Sequence, residues 1–144
     1  MKAPTVRQCC IYWLPPLLLT GGILSLSGDL GSTAHTQGLV KWLLSWFSFL
    51  NLERMQDRHR YFRIGGHILA YASLYFLWFR AFRGHFSARP GAAILWSLGF
   101  CLLTSLADEG HQALMPSRHG SIGDVVLDLS AAALAALALS FKRI

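Results

Sequence analysis

The sequence predicts an all-α integral membrane bundle: four transmembrane helices, with a short interfacial helix between the first and second. Three observations carry that prediction. Hydrophobic residues make up 53% of the 144-residue chain and charged residues 14%, against about 25% charged in an ordinary soluble domain. Four apolar runs stand at about residues 11–27, 64–82, 91–112 and 122–141. Each is long enough, since a helix needs ~20 residues (range ~17–25) to cross the hydrocarbon. Finally, with four spans, all seven acidic residues fall on one side of the membrane. A length of 144 residues fits a single domain over 1–144.

The first run, Ile11 to Ser27, follows Lys2 and Arg7. Pro15 and Pro16 lie early in it, and proline is best tolerated in a first helical turn, so the helix is expected to start near Leu14 or to kink there. A basic start, an apolar centre and Ser25-Leu26-Ser27 also fit a signal peptide. The span is preferred, because small residues beside an apolar segment are weak evidence for cleavage. The apolar patch from Gly38 to Leu50 is too short to span. Trp42, Trp46 and Phe49 recur there at three- and four-residue spacing, as on one helix face. That suits a helix lying on the membrane surface or a short buried helix, and the two readings stay open. Residues 51–63 read as a polar connection. The second run is Ile64 to Phe82. The third is about 91–107 and carries on to Gln112. The fourth contains Leu129 to Leu139, built of Ala, Leu and one Ser, and small side chains let helices approach closely in lipid.

Four spans place the loops alternately on two sides. One side carries Lys2, Arg7, Arg80, Arg83, Arg89, Lys142 and Arg143, and no acid. The other carries Lys41, Arg54, Arg58, Arg60, Arg63 and Arg118, with Asp29, Glu53, Asp57, Asp108, Glu109, Asp124 and Asp128. Lys and Arg set orientation, and acids contribute little. Both termini are therefore expected to be cytoplasmic and the acidic side external. The net charge of +6 is read as topogenic. The basic residues are scattered through loops with no stripe or RNA-binding motif, which argues against a nucleic-acid partner. Cys9, Cys10 and Cys101 offer no disulfide pair and no metal-binding spacing.

The chemistry concentrates between residues 108 and 128, which hold four of the seven acids. Charge at the mouth of a span is costly and reads as functional. Asp108 and Glu109 each share the last turn of the third span with Gln112. Acids at a helix C-terminus oppose the macrodipole, so something other than a solvated helix end should account for them. Ser121 and Asp124 fit the N-cap and third position of the fourth helix. Asp128 lies one turn deeper, roughly 6 Å along the axis, where capping cannot explain it. A carboxylate at that depth must be protonated or paired, and His67 and Arg118 are the expected partners. On the second span Arg63, His67 and Tyr71 stand four residues apart on one face. The site residues expected to converge are Arg63, His67, Tyr71, Asp108, Glu109, Gln112, Arg118, Asp124 and Asp128. Tyr71 and Asp128 would floor the pocket, and Asp108, Gln112 and Arg118 would rim it.

The block Arg63-Ile64-Gly65-Gly66-His67-Ile68-Leu69-Ala70-Tyr71 resembles an Arg-Lys-x-x-His-x-x-x-Tyr pattern of the VanZ-like membrane protein family. The stretch Asp108-Glu109-Gly110-His111-Gln112, followed by Pro116, Arg118, Gly120, Ser121 and Asp124, is similar to that family's second block. Ser25-Leu26-Ser27 and the aromatic patch look like the same layout, so the resemblance covers most of the chain from the first span on. Two positions depart from it: Ile64 stands where the family often has Lys, and Asp128 where it often has Asn. A second acid in place of an amide adds charge to the site. The resemblance implies a small multi-pass protein of the bacterial cytoplasmic membrane, in a family whose founding member is associated with teicoplanin resistance. A resistance role for this chain is an expectation from association alone.

Three function classes remain. The preferred one is a membrane protein whose acidic and histidine pocket binds an envelope-related ligand, with membrane lipid and a lipid-linked cell-wall precursor or glycopeptide as partners. The second is a membrane hydrolase or transferase using His67, Glu109 and Asp124 as acid and base. The third is a divalent metal site built from His67, Asp108, Glu109, His111 and Asp124. Zinc takes such nitrogen and oxygen ligands, but Asp-Glu-x-His is a weak metal signal without a His-Glu-x-x-His motif. The sequence therefore assigns no metal and no cofactor.

Overall fold

The computed structural model of the chain describes residues 5–27, 55–85, 89–116 and 120–141. The described residues form four α-helices: α1 Val6–Leu26, α2 Met55–His85, α3 Pro90–Ala113 and α4 Ile122–Phe141. The expected interfacial helix at 38–50 and Arg118 lie outside the described residues. Three helices, α1, α3 and α4, are long and apolar enough to cross a membrane. The second is not among them, because His67, Arg80 and its Tyr and Trp residues lower its hydropathy.

Two boundaries differ from the sequence expectation. First, α1 begins at Val6, well before the prolines, with Thr5 as N-cap. The Thr5 side chain accepts from the Gln8 N–H, and the Gln8 side chain accepts from the Thr5 N–H, a complete capping box. The helix then runs through Pro15 and Pro16. A proline four residues on leaves a carbonyl without its helical donor. Pro15 does this to Ile11, and the Arg80 guanidinium of α2 donates to that Ile11 carbonyl. The same guanidinium lies 5.6 Å from the Tyr12 ring centroid, so the proline defect of α1 is answered from its neighbour. Second, α2 begins at Met55, so residues 55–63 are helix and not connection. No Gly or Pro interrupts that stretch, and nothing local stops the helix extending beyond its apolar part.

Packing alternates in direction. Arg80 near the end of α2 meets Ile11 near the start of α1, and Ser27 just past the end of α1 meets Asp108 near the end of α3. Ser105 late in α3 meets Asp128 early in α4. Thus α1 and α3 end where α2 and α4 begin. The central helix is α2, which packs against all three others and most extensively against α4. Its buried face carries Tyr71, Leu74, Tyr75, Trp78, Phe79, Ala81 and Phe82.

One end of the bundle is aromatic. Trp13 of α1 meets Trp78 and Phe82 edge-on at 5.9 and 5.7 Å, and Trp78 meets Phe100 of α3 at 4.4 Å. Edge-on rings set the positive rim of one against the negative face of the other. The α4 side of the core is small, with Ala131, Ala132 and Ala136. Away from the core, Leu17, Leu18, Leu95, Trp96, Leu103, Leu134 and Leu137 are exposed. In a soluble protein that would be a large apolar patch; on membrane helices it is the lipid-facing surface. Hydroxyls inside the bundle mostly satisfy themselves. Ser97 donates to the Ala93 carbonyl at 2.7 Å and Thr104 to Phe100 at 2.8 Å, the i−4 pattern that suits an apolar setting.

Candidate functional site

The polar end of the bundle is built first by α2 and α4. Arg63 forms an ion pair with Asp124. One turn deeper, His67 Nδ1 lies 2.8 Å from Asp128 Oδ1. Each pair is separated by 61 residues, so the two helices run parallel and in register. Water recedes along this ladder. Side-chain exposure is 48% for Arg63 and 20% for Asp124 in the outer pair, against 15% for His67 and 0% for Asp128 in the inner one. The outer pair is therefore screened and weak, while the inner one has high stakes, because an unpaired charge there would be costly.

The third side of the site comes from α3. Ser105, Asp108, Glu109 and Gln112 are all buried, and their three- and four-residue spacing puts them on one face. Unlike Ser97 and Thr104, Ser105 turns its proton to another helix, donating to Asp128 Oδ2 at 2.6 Å. Asp128 is thus held at both oxygens. Glu109 is held too: its Oε2 accepts from the Ser121 backbone N–H at 2.7 Å and its Oε1 from Gln112 Nε2 at 3.3 Å. Ser27 donates to the Asp108 backbone carbonyl at 2.9 Å, which ties the end of α1 to this turn. Asp108 and Glu109 are consequently not a solvated helix end. They face inward: the Ser121 N–H answers the Glu109 carboxylate, and Ser27 answers the Asp108 carbonyl near the negative end of the helix.

Beneath the inner pair lies Tyr71, stacked with the His67 ring at 6.4 Å between centroids and 5° between planes. Its residue is 1% exposed. The hydroxyl lies near Ser105, whose own proton goes to Asp128, and it makes no hydrogen bond of normal geometry. Around this floor, His67, Asp108, Glu109 and Asp128 each offer one ligand-type atom, and these atoms all lie within 4.8 Å of one another. Three carboxylates and one imidazole at that separation can share protons, bind a cation, or accept hydrogen bonds from a ligand.

The expected residues divide into three groups. His67, Tyr71, Asp108, Glu109, Gln112 and Asp128 come together, with Asp108 and Gln112 buried beside the floor and not on an open rim. Arg63 and Asp124 pair outside this cluster, and His111 is not part of it. Arg118 lies outside the described residues. Asp124 does not close a capping box. Ser121 Oγ accepts from the Gly123 N–H at 3.1 Å, but the Ser121 N–H goes to Glu109 and the Asp124 carboxylate goes to Arg63. Sequence reasoning missed Ser105. The signal was available: positions 105, 108, 109 and 112 form a polar stripe at helical spacing inside an apolar run.

A family model described as VanZ/LLP1 matches residues 17–143. That span contains the whole polar cluster and all of α2, α3 and α4. No curated protein and no solved structure matches the chain. With the match covering most of its length and three of its helices able to cross a membrane, this multi-pass membrane protein belongs to the VanZ/LLP1 family.

Proposed function

We propose that the chain is a four-span protein of the bacterial cytoplasmic membrane, with both termini cytoplasmic, which binds an envelope-related ligand at its polar end. The observation that carries this reading is the convergence of His67, Asp108, Glu109 and Asp128 from three helices within 4.8 Å. Burying three carboxylates together opposes folding unless they are protonated, paired or serve a bound group. The fourth span is α2. It runs antiparallel to α1 and α3 over the same length of bundle, and its neighbours cover the face that carries Tyr71, Tyr75 and Trp78. Low mean hydropathy is tolerable where the polar groups face the bundle interior, and the exposed side of this helix carries Ile68, Leu69 and Phe76. The seven Lys and Arg on the acid-free side, against six on the other, favour an external polar end. Its ligand is the polar head of a lipid-linked cell-wall precursor or a glycopeptide.

One observation favours a second reading, a membrane hydrolase or transferase. His67 is oriented by a buried carboxylate at 2.8 Å, as a general base would be. Ser105 is not placed as its nucleophile, because it donates to Asp128 and not to His67. The base would instead act on water or a substrate hydroxyl. Purified protein in nanodiscs tests the binding reading, with fluorescent lipid-linked precursor and teicoplanin as probes. Saturable binding of either one, weakened by Glu109→Gln, is expected. Binding to neither, or equal binding by the variant, removes the reading, and release of product from the precursor moves the assignment to the enzyme class.

A further inference from the structure

We propose that His67, Asp108, Glu109 and Asp128 form a binding site for a divalent transition-metal ion, with zinc and manganese as the fitting species. The inference deepens the ligand-binding reading of this same cluster. Its geometry comes first. Ligands around a tetrahedral zinc with bonds of about 2.1 Å stand about 3.4 Å apart, and around an octahedral manganese about 3 Å apart when adjacent and about 4.2 Å when opposite. The four ligand-type atoms here lie within 4.8 Å of one another, and His67 Nδ1 and Asp128 Oδ1 are 2.8 Å apart. Side-chain shifts of up to about 1 Å bring the set onto a single ion.

Charge points the same way. Three carboxylates bring three negative charges to a site from which water is largely excluded. The Arg63 guanidinium is engaged with Asp124 nearer the surface. A dication brings the cluster close to neutrality, where bare carboxylates would repel. The donor set selects the class of ion. Calcium takes six to eight oxygens, and magnesium keeps most of its waters. An imidazole among carboxylates suits zinc and manganese better.

Two further observations point to a bound group. Asp108 is 4% exposed, and the side chain that reaches it among the described residues, Ser27, donates to its backbone carbonyl and not to its carboxylate. Its carboxylate offers an oxygen to the cluster. Tyr71 presents a buried hydroxyl, without a hydrogen-bond partner among the described residues, beside the same carboxylates. An ion would take the first, and a water or anionic oxygen on that ion would accept from the second. The remaining partners already have the form of an outer shell. Ser105 orients Asp128, while Gln112 and the Ser121 N–H orient Glu109, as hydrogen bonds do around metal-binding carboxylates. A metal here would also turn an acidic site into one that takes anionic oxygens, the chemistry of a phosphate head group.

The test uses the full chain in detergent, stripped with chelator and dialysed against buffered zinc chloride or manganese chloride. Metal content is read by elemental mass spectrometry, and stability by thermal unfolding. One ion per chain and a raised melting temperature are expected. Asp108→Asn should lower metal affinity by at least about tenfold. It removes a buried charge at constant shape, so the metal-free variant should melt no lower than metal-free wild type, which separates lost binding from lost fold. Should Asp108→Asn fail to fold, Glu109→Gln gives the same reading. Failure to retain either ion, or equal retention by wild type and variant, overturns the proposal. If the metal-free protein binds lipid-linked precursor and no ion, the metal site falls and the ligand reading stands. Metal binding without precursor binding does the reverse.

Discussion

His67 and Asp128 meet across α2 and α4 one turn below Arg63 and Asp124, at the same 61-residue offset. That constant offset is a register rule for the two helices. Continued inward, it sets Tyr71 opposite Ala132 and Tyr75 opposite Ala136, and all four belong to one buried cluster. Large rings on α2 therefore face small side chains on α4, and the polar rungs fix which ring meets which alanine. The pairing is a packing device as well as a site: bulk fits only when the charges align.

The inner rung should matter to stability. His67→Ala leaves the fully buried Asp128 carboxylate with Ser105 as its remaining donor. Removing one partner of a buried pair costs about 3 kcal/mol or more, and His67→Gln should recover part of this by donating to the same oxygen. Chemical unfolding in detergent micelles checks it. A loss under about 1 kcal/mol for His67→Ala would mean that Asp128 does not depend on the imidazole, since that is the scale of an ordinary hydrogen bond.

Gly120 should tolerate no side chain. A Cβ there would collide with the Glu109 backbone carbonyl and come within 2.9 Å of the Ala113 Cβ. The loop before α4 passes this close to α3 because the next residue, Ser121, donates its N–H to Glu109. Gly120→Ala is expected to cost about 1–3 kcal/mol, the range for overpacking, and to release Glu109 from that donor. Amide exchange at Ser121 reads the second effect. Wild-type protection in the variant would show that the loop has room to yield.

Much of this was legible in the sequence, and for a stated reason. Long apolar runs with helical polar stripes report helices directly, so α3 and α4 appear nearly at their observed ends. The start of α1 was misread because prolines were weighed as local breakers. The donor that answers Pro15 comes from Arg80, 69 residues away, and no local rule contains it. The start of α2 was missed because a charged stretch was taken for a loop, although nothing in it opposes helix. In the site, i and i+4 spacing exposed Arg63, His67 and Tyr71, and depth exposed Asp128. Ser105 was hidden among other serines and threonines of apolar helices. On the same helix Ser97 and Thr104 bond their own backbone, and the tertiary contact with Asp128 sets Ser105 apart from them.

The alternating helix directions, with seven Lys and Arg on one side and six on the other, give a topology to test. A reporter fused at Ile144 should be active in the cytoplasm, and one inserted within 117–120 should be active outside. Paired phosphatase and fluorescent-protein fusions check both. The same compartment for both positions would mean that α4 does not cross, and the reversed pair would place the polar end in the cytoplasm.

Asp124 distinguishes the start of a helix from part of a site. Its carboxylate engages Arg63, whose side chain is nearly half exposed, and such pairs contribute about 0–1 kcal/mol. The cap of α4 does not need it, because Ser121 Oγ already accepts from Gly123. What remains is its charge near the helix N-terminus, about 0.3–1 kcal/mol. Asp124→Asn keeps the shape and an oxygen acceptor for Arg63, so stability should fall by about 1 kcal/mol or less. Binding of lipid-linked precursor should fall more clearly if the outer rung guides a polar head group toward the buried cluster. Melting temperature and binding of the fluorescent precursor, measured on one preparation, separate the two effects. Unchanged stability with weakened binding would make Arg63 and Asp124 the entrance of the site. Unchanged binding would confine the site to His67, Asp108, Glu109 and Asp128 and leave the outer pair a role in register alone.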